Sequence, residues 1–192
     1  MLEDRFESVE RIAGVDAAYS GEVCFAAAVV VELPTLRTLE EKTAAQAVHV
    51  PYIPGFFAFR EMGAALKALR RLRSGYDLLM VEGHGIAHPS GCGFASHLGV
   101  LLRKPSVGVA KRLLCGSIRR MPTPERPAEV VLNRRVVGYA LKSNRRVIYV
   151  SPGHMVSPAT ALEVVKKATH GHALPEPLRR AHMLAARTKR GY

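Results

Sequence analysis

Two acidic residues stand where an apolar strand does not hold charge idly. Asp16 follows Ile12-Ala-Gly-Val, and Glu82 follows Leu78-Leu-Met-Val. A carboxylate at the end of a buried strand is costly to desolvate unless it is paired or bound to a cation. The competing reading is a strand that has simply reached solvent. Glu61 falls on the first turn of a helix behind a proline loop, where the helix dipole alone favours an acid. Together, acids at neighbouring strand ends and one from a helix build an oxygen-rich pocket for Mg²⁺. Magnesium held by few carboxylates keeps waters that attack or shield a phosphate, which suits phosphodiester hydrolysis. Lys111 closes the apolar stretch Gly108-Val-Ala and on its own is a lysine snorkelling to solvent. His182, on a terminal helix, is on its own a solvated histidine.

The elements that must position these residues follow from hydrophobic period. Arg11 to Tyr19, the near-continuous apolar run Val23 to Glu32, and the more polar Leu36 to Val48 read as three strands. Ser20-Gly21-Glu22 is short enough for a hairpin. Pro51 and Pro54 hold a loop. From Phe57 to Arg73 apolar residues recur at helical spacing, with Lys67, Arg70, Arg71 and Arg73 on the other face. Tyr76 to Val81 is a buried strand ending at Glu82, followed by a glycine-rich loop, a helix over Phe94 to Leu102 and a strand over Ser106 to Ala110. Val130 to Lys142 and Arg145 to Ser151 read as two further strands, with turns at Asn133-Arg-Arg and Ser143-Asn144. Ser157-Pro158 is a helix start, Ser as N-cap and Pro at the first helical position, with the helix running to Lys167. A last helix follows Pro177. The order predicts a mixed α/β sheet with helices packed on it.

Length and charge narrow the classes. A chain of 192 residues supports one hydrophobic core, so one domain over residues 1–192 is expected. Twenty-eight Lys and Arg against sixteen Asp and Glu leave a net charge of +12, which favours polyanionic partners, nucleic acid foremost. The same charge also fits a surface kept soluble by repulsion. The three cysteines, Cys24, Cys92 and Cys115, have no C-x-x-C spacing and read as reduced thiols, Cys24 as a core residue. No apolar run is long enough to span a membrane, and the acidic start has no apolar signal core. A cytoplasmic monomer is the expectation.

Four stretches share an order and spacing with a known pattern: Gly14-Val-Asp-Ala-Ala-Tyr19, Pro51-Tyr-Ile-Pro-Gly-Phe-Phe-Ala-Phe-Arg-Glu61, Val81-Glu-Gly-His-Gly-Ile-Ala-His-Pro89 and Gly108-Val-Ala-Lys111. With the closing Pro175-Glu-Pro-Leu-Arg-Arg-Ala-His182, the chain resembles the endonuclease V family from about residue 10 to residue 190. The resemblance implies a ribonuclease H-like fold, a mixed central sheet flanked by helices. It implies dependence on Mg²⁺, with Mn²⁺ able to substitute, and a DNA partner containing deoxyinosine. The implied reaction is hydrolysis of the second phosphodiester 3′ to the inosine in DNA repair, leaving 3′-hydroxyl and 5′-phosphate ends. Two alternatives stay open: an endoribonuclease acting on inosine-containing RNA, and an inosine-binding protein with weakened catalysis.

Residue by residue, the resemblance makes Asp16, Glu61, Glu82 and His182 metal-binding and catalytic. It sets Lys111 against the scissile phosphate, where it balances transition-state charge. Tyr52, with Pro51, Ile53 and Pro54, matches a wedge that fills the gap left by an extruded nucleotide. Gly83 and Gly85 line the base pocket with Gly55, Phe57 and Phe94, and His88 orients that loop or contacts phosphate. His84, His97 and His154 carry weaker signals, and His97 reads as structural. Three positions depart from the family pattern. Glu82 replaces the usual Asp, placing the carboxylate on the order of 1.5 Å further out. Ser90 stands where Arg is common, and Arg112 where Ser is common, so phosphate contacts are rearranged.

Overall fold

The structure, a computed structural model, describes residues 3–48 and 58–191. Its centre is one nine-stranded mixed sheet. Strands β1 (Arg11–Ser20), β2 (Val23–Glu32) and β3 (Thr38–Ala47) form an antiparallel meander. Strands β4 (Leu78–Glu82) and β5 (Ser106–Ala110) then run parallel to β1. Beyond β5 come β9 (Arg146–His154), β8 (Arg135–Ser143), β7 (Ala128–Leu132) and the short β6 (Ser117–Ile118), all antiparallel. The sheet order is β3-β2-β1-β4-β5-β9-β8-β7-β6.

Helices α1 (Ala58–Arg70) and α2 (Phe94–Leu102) cover one face, and α3 (Pro158–Lys167) and α4 (Glu176–Arg190) the other. The apolar run in β2 is continuous because both of its faces are buried. Ala26, Ala28 and Val30 pack in the core under α1, while Ala27, Val29 and Val31 pack against Ala181, Leu184 and Ala185 of α4. Each fully buried Val in that strand contributes about 1.5–3 kcal/mol relative to exposure. Cys24 is fully buried, as expected of a core thiol.

Most predicted elements are present with boundaries shifted by no more than three residues. Ser157 caps α3 by accepting a hydrogen bond from the Thr160 amide at 3.2 Å. The long expected strand Val130 to Lys142 is two strands, because Asn133 and Arg134 both adopt positive φ and reverse the chain. The edge strand β6 carries too little apolar pattern to be seen in sequence. Helix α4 begins at Glu176, one residue before the proline expected to precede it. Among the described residues, no helix is long and apolar enough to cross a membrane.

Candidate active site

The parallel register sets the acids side by side. Val15 pairs with Val81, so the next residues, Asp16 and Glu82, project from adjacent strands to the same face. Glu82 in turn pairs with Val109, and two residues on, Lys111 returns to that face. Helix α4 crosses this end of the sheet closely because Gly14 has no side chain: a Cβ there would overlap the Pro177 carbonyl. That approach carries His182 over Asp16.

The result is a compact polar group. His182 Nδ1 lies 2.6 Å from Asp16 Oδ2 and 3.9 Å from Glu82 Oε2. Lys111 Nζ lies 2.5 Å from Glu82 Oε1. One ligand-capable atom from each of Asp16, Glu82 and His182 falls within 4.8 Å of the others, so the longer Glu82 still converges on the common point. Asp16 is buried, and its Oδ1 accepts the Ala17 amide at 2.8 Å.

Glu61 enters from α1 on the opposite side of the sheet. It lies outside the three-residue ligand group, yet it is only 6% exposed. Burial, followed by the negative charges of Asp16 and Glu82, raises its pKa to about 8. Glu82 is pushed upward as well, first by burial and then by Asp16, against the lowering pull of Lys111. The hydrogen bond that His182 donates to Asp16 raises the pKa of His182. Like charges pressed together in a partly dry site favour a bound cation. The donor set fits a hard divalent ion with oxygen and imidazole ligands, and Glu82 Oε2 is a buried oxygen with no hydrogen-bond donor among the described residues.

The glycine-rich loop after β4 lies on the α2 face. Gly85 donates its amide to Ser151 Oγ at 2.8 Å, and a Cβ at Gly85 would collide with the Pro152 carbonyl. Gly83 sits against Phe94 at the start of α2. His88 bonds to Ser90 Oγ at 2.8 Å, so the serine found in place of an arginine holds the loop histidine. Pro51, Tyr52, Ile53, Pro54, Gly55 and Phe57 lie outside the described residues.

Three contributors had weak or no sequence signal. Ser151 is a buried hydroxyl inside an apolar strand, an anomaly that could have marked it. Tyr19 carries the Arg60 guanidinium over its ring at 5.4 Å, and Tyr19 and Arg60 also act on Glu61, each lowering its pKa. His84 is half-buried, and its buried Nδ1 has no hydrogen-bond partner among the described residues; desolvation, with the charge of His88, holds its pKa down at about 4. His97 bonds to the Gly93 carbonyl at 3.0 Å within its own helix turn, consistent with a structural part.

Comparison with known proteins follows the same outline. The sequence model of the family described as Endonuclease V matches residues 1–183. The chain belongs to the endonuclease V family. An endonuclease V of Thermofilum pendens is 45% identical over 188 residues, covering 96% of this chain and 80% of that protein. The crystal structure of endonuclease V from Streptomyces avermitilis superposes with a TM-score of 0.92 at 36% identity, over 100% of this chain and 87% of that one. A Ciona intestinalis endonuclease V, crystallised with a 23mer DNA containing an inosine followed by a ribo-adenosine, shares the fold at a TM-score of 0.86. It is 24% identical, and the match covers 100% of this chain and 91% of that one. The mixed sheet flanked by helices is thus the endonuclease V fold, and the family is one of endonucleases.

Proposed function

We propose that this chain is a single-domain, divalent-metal-dependent endonuclease, spanning residues 1–192, that acts on inosine-containing DNA. It hydrolyses the second phosphodiester 3′ to the inosine and leaves 3′-hydroxyl and 5′-phosphate ends. The observation that carries this reading is the convergence of Asp16, Glu82 and His182 within 4.8 Å, with a buried Glu82 oxygen lacking a donor. The inosine-containing DNA in the Ciona relative supports the choice of substrate.

In this reading Asp16, Glu82 and His182 hold the cation, Mg²⁺ or Mn²⁺, and Glu61 adds negative charge behind them. The cation supplies Lewis acidity and positive charge at the scissile phosphate. Lys111 leaves Glu82 for a non-bridging phosphate oxygen and balances charge as a water oxygen bonds to phosphorus. The bond from phosphorus to O3′ breaks, and a proton passes to that oxygen. Gly83, Gly85 and Phe94, with Gly55 and Phe57, line the pocket for the extruded base. Tyr52, flanked by Pro51, Ile53 and Pro54, fills the vacated stack. His88 fixes the loop between pocket and phosphate.

The test is a cleavage assay with purified protein, Mg²⁺ or Mn²⁺, and strands carrying inosine, uracil, an abasic site or no lesion. Selective nicking of the inosine strand at the stated bond is expected. Equal cutting of the unmodified strand, or tight inosine binding with no metal-stimulated cleavage, would overturn the assignment.

A further inference from the structure

The cations around the active site are not distributed evenly. A cavity of about 830 Å³ opens beside Lys111 and His182 on the α3/α4 face and extends to Arg146 and His172. Lys111, Arg112, Arg146 and Arg179 line it, and Ile148 and Leu174 give it an apolar floor. Arg179 is engaged by Glu176, but among the described residues Arg112 and Arg146 have no carboxylate partner, and both are exposed. His172 also lines a neighbouring cavity with Lys142 and Lys166, which continues the positive track. The volume exceeds what one phosphate needs and suits a short chain of nucleotides: cationic walls for phosphates, an apolar floor for sugar or base.

The glycine-rich loop and Phe94 lie on the other face of the sheet. A strand touching both must cross the ends of β1 and β4, where Asp16 and Glu82 stand. We propose that the cleaved DNA strand makes this crossing, with the inosine on the α2 face and the nucleotides 3′ of the scissile bond in the Arg112–Arg146 cavity. The polarity rests on the endonuclease reading above, since incision on the 3′ side of the lesion fixes which portion of the strand reaches the cavity.

The test compares two labelled single-stranded DNAs, each with one inosine, ending about two or about eight nucleotides beyond the scissile phosphate. Binding is read by fluorescence anisotropy without divalent metal, so that no cleavage is needed. The intact protein is expected to bind the longer strand about 10-fold more tightly, with a steeper salt dependence. Arg146→Glu should remove that difference and leave affinity for the shorter strand unchanged; Arg146→Gln should reduce it, and thermal melts should match the parent. Equal affinity of the parent for both strands would overturn the proposal, as would an Arg146→Glu loss equal on both or absent. Cleavage of the same strands in Mg²⁺ separates the two readings. A length effect without cleavage sinks the nuclease reading and leaves the Arg112–Arg146 cavity as a binding site for the strand 3′ of the inosine; cleavage without a length effect sinks only the strand path.

Discussion

Helix α4 takes part in two buried carboxylate groups that behave in opposite ways. At its first turn, Glu176 is 5% exposed and is held by Arg179 Nε at 2.6 Å and Arg180 Nε at 3.0 Å, while Arg180 also bonds to Thr38. The Arg179 hydrogen bonds, aided by Arg180, lower the Glu176 pKa despite its burial. Further along the helix, His182 joins Asp16 and Glu82, with Glu61 behind them, and there burial and like charge push the Glu61 and Glu82 carboxyls upward. Low exposure alone therefore does not decide how a carboxylate behaves: the arginines outweigh desolvation at Glu176, whereas at Glu61 and Glu82 desolvation comes first and like charge adds to it. The first group is satisfied by cations of the chain itself and joins α4 to β3. The second has more negative charge than the chain neutralises, the condition expected of a site completed by an external cation.

Breaking the second group should cost function. Asp16→Ala is expected to lower cleavage of an inosine strand at least about 1000-fold in single-turnover assays, with binding still measurable. A variant cutting as fast as the parent would remove Asp16 from the chemistry. Lys111→Ala should lower kcat about 100-fold, near 2.7 kcal/mol of transition-state stabilisation, with little change in KM.

Breaking the first group should cost stability. Glu176→Gln strips the carboxylate from two arginines and is expected to destabilise by about 2 kcal/mol in urea denaturation, with unchanged metal dependence of cleavage. Because the folded pKa of Glu176 lies below its ordinary value, its contribution is present above about pH 4.5 and is lost as pH falls through the folded value. A Glu176→Gln variant whose cleavage needs more Mg²⁺ would join the two groups functionally.

The smallest effect has the opposite sign. With a folded pKa of about 8 against an ordinary 4.5, Glu61 favours the unfolded chain once ionised. The contribution of Glu61 to the stability of the metal-free protein should therefore be fullest below pH 4.5 and decline as pH rises from there to about 8. Glu61→Gln should raise metal-free stability at pH 8 by about 1 kcal/mol, a melting shift of about 2–4 °C, because the amide keeps its own cost of burial. Stabilisation of the parent by added Mg²⁺ should be larger at pH 8 than at pH 6, since bound metal replaces a proton. Melting temperatures of the metal-free parent and Glu61→Gln proteins that keep the same difference from pH 4.5 to pH 8 would contradict the arrangement.

Much of this was legible along the chain. The strand-ending acids, the double-sided apolar run of β2 and the Ser157-Pro158 start of α3 are local patterns, written in residues adjacent in sequence. The order and spacing of the motif stretches identified the family, and the matched relatives agree. The split at Asn133 and Arg134 was half visible: the turn residues were recognised, but two adjacent positive φ values close a hairpin that pattern alone reads as one strand with a bend. Glu176 showed no sign of being a structural anchor, since the arginines that hold it look like any surface pair.

The side chains available for chemistry, and the strands and helices that carry them, can be read along the chain, because hydrophobic period and capping act over a few residues. Which of the acids share a point in space depends on how distant segments pack. The β1–β4 register puts Asp16 beside Glu82, and the bare backbone of Gly14 lets α4 come close enough for His182 to reach them. Those distances depend on packing between segments far apart in the chain, 166 residues for Asp16 and His182, and the pKa shifts of Glu61 and Glu82 exist only once that packing has excluded water and brought the charges together.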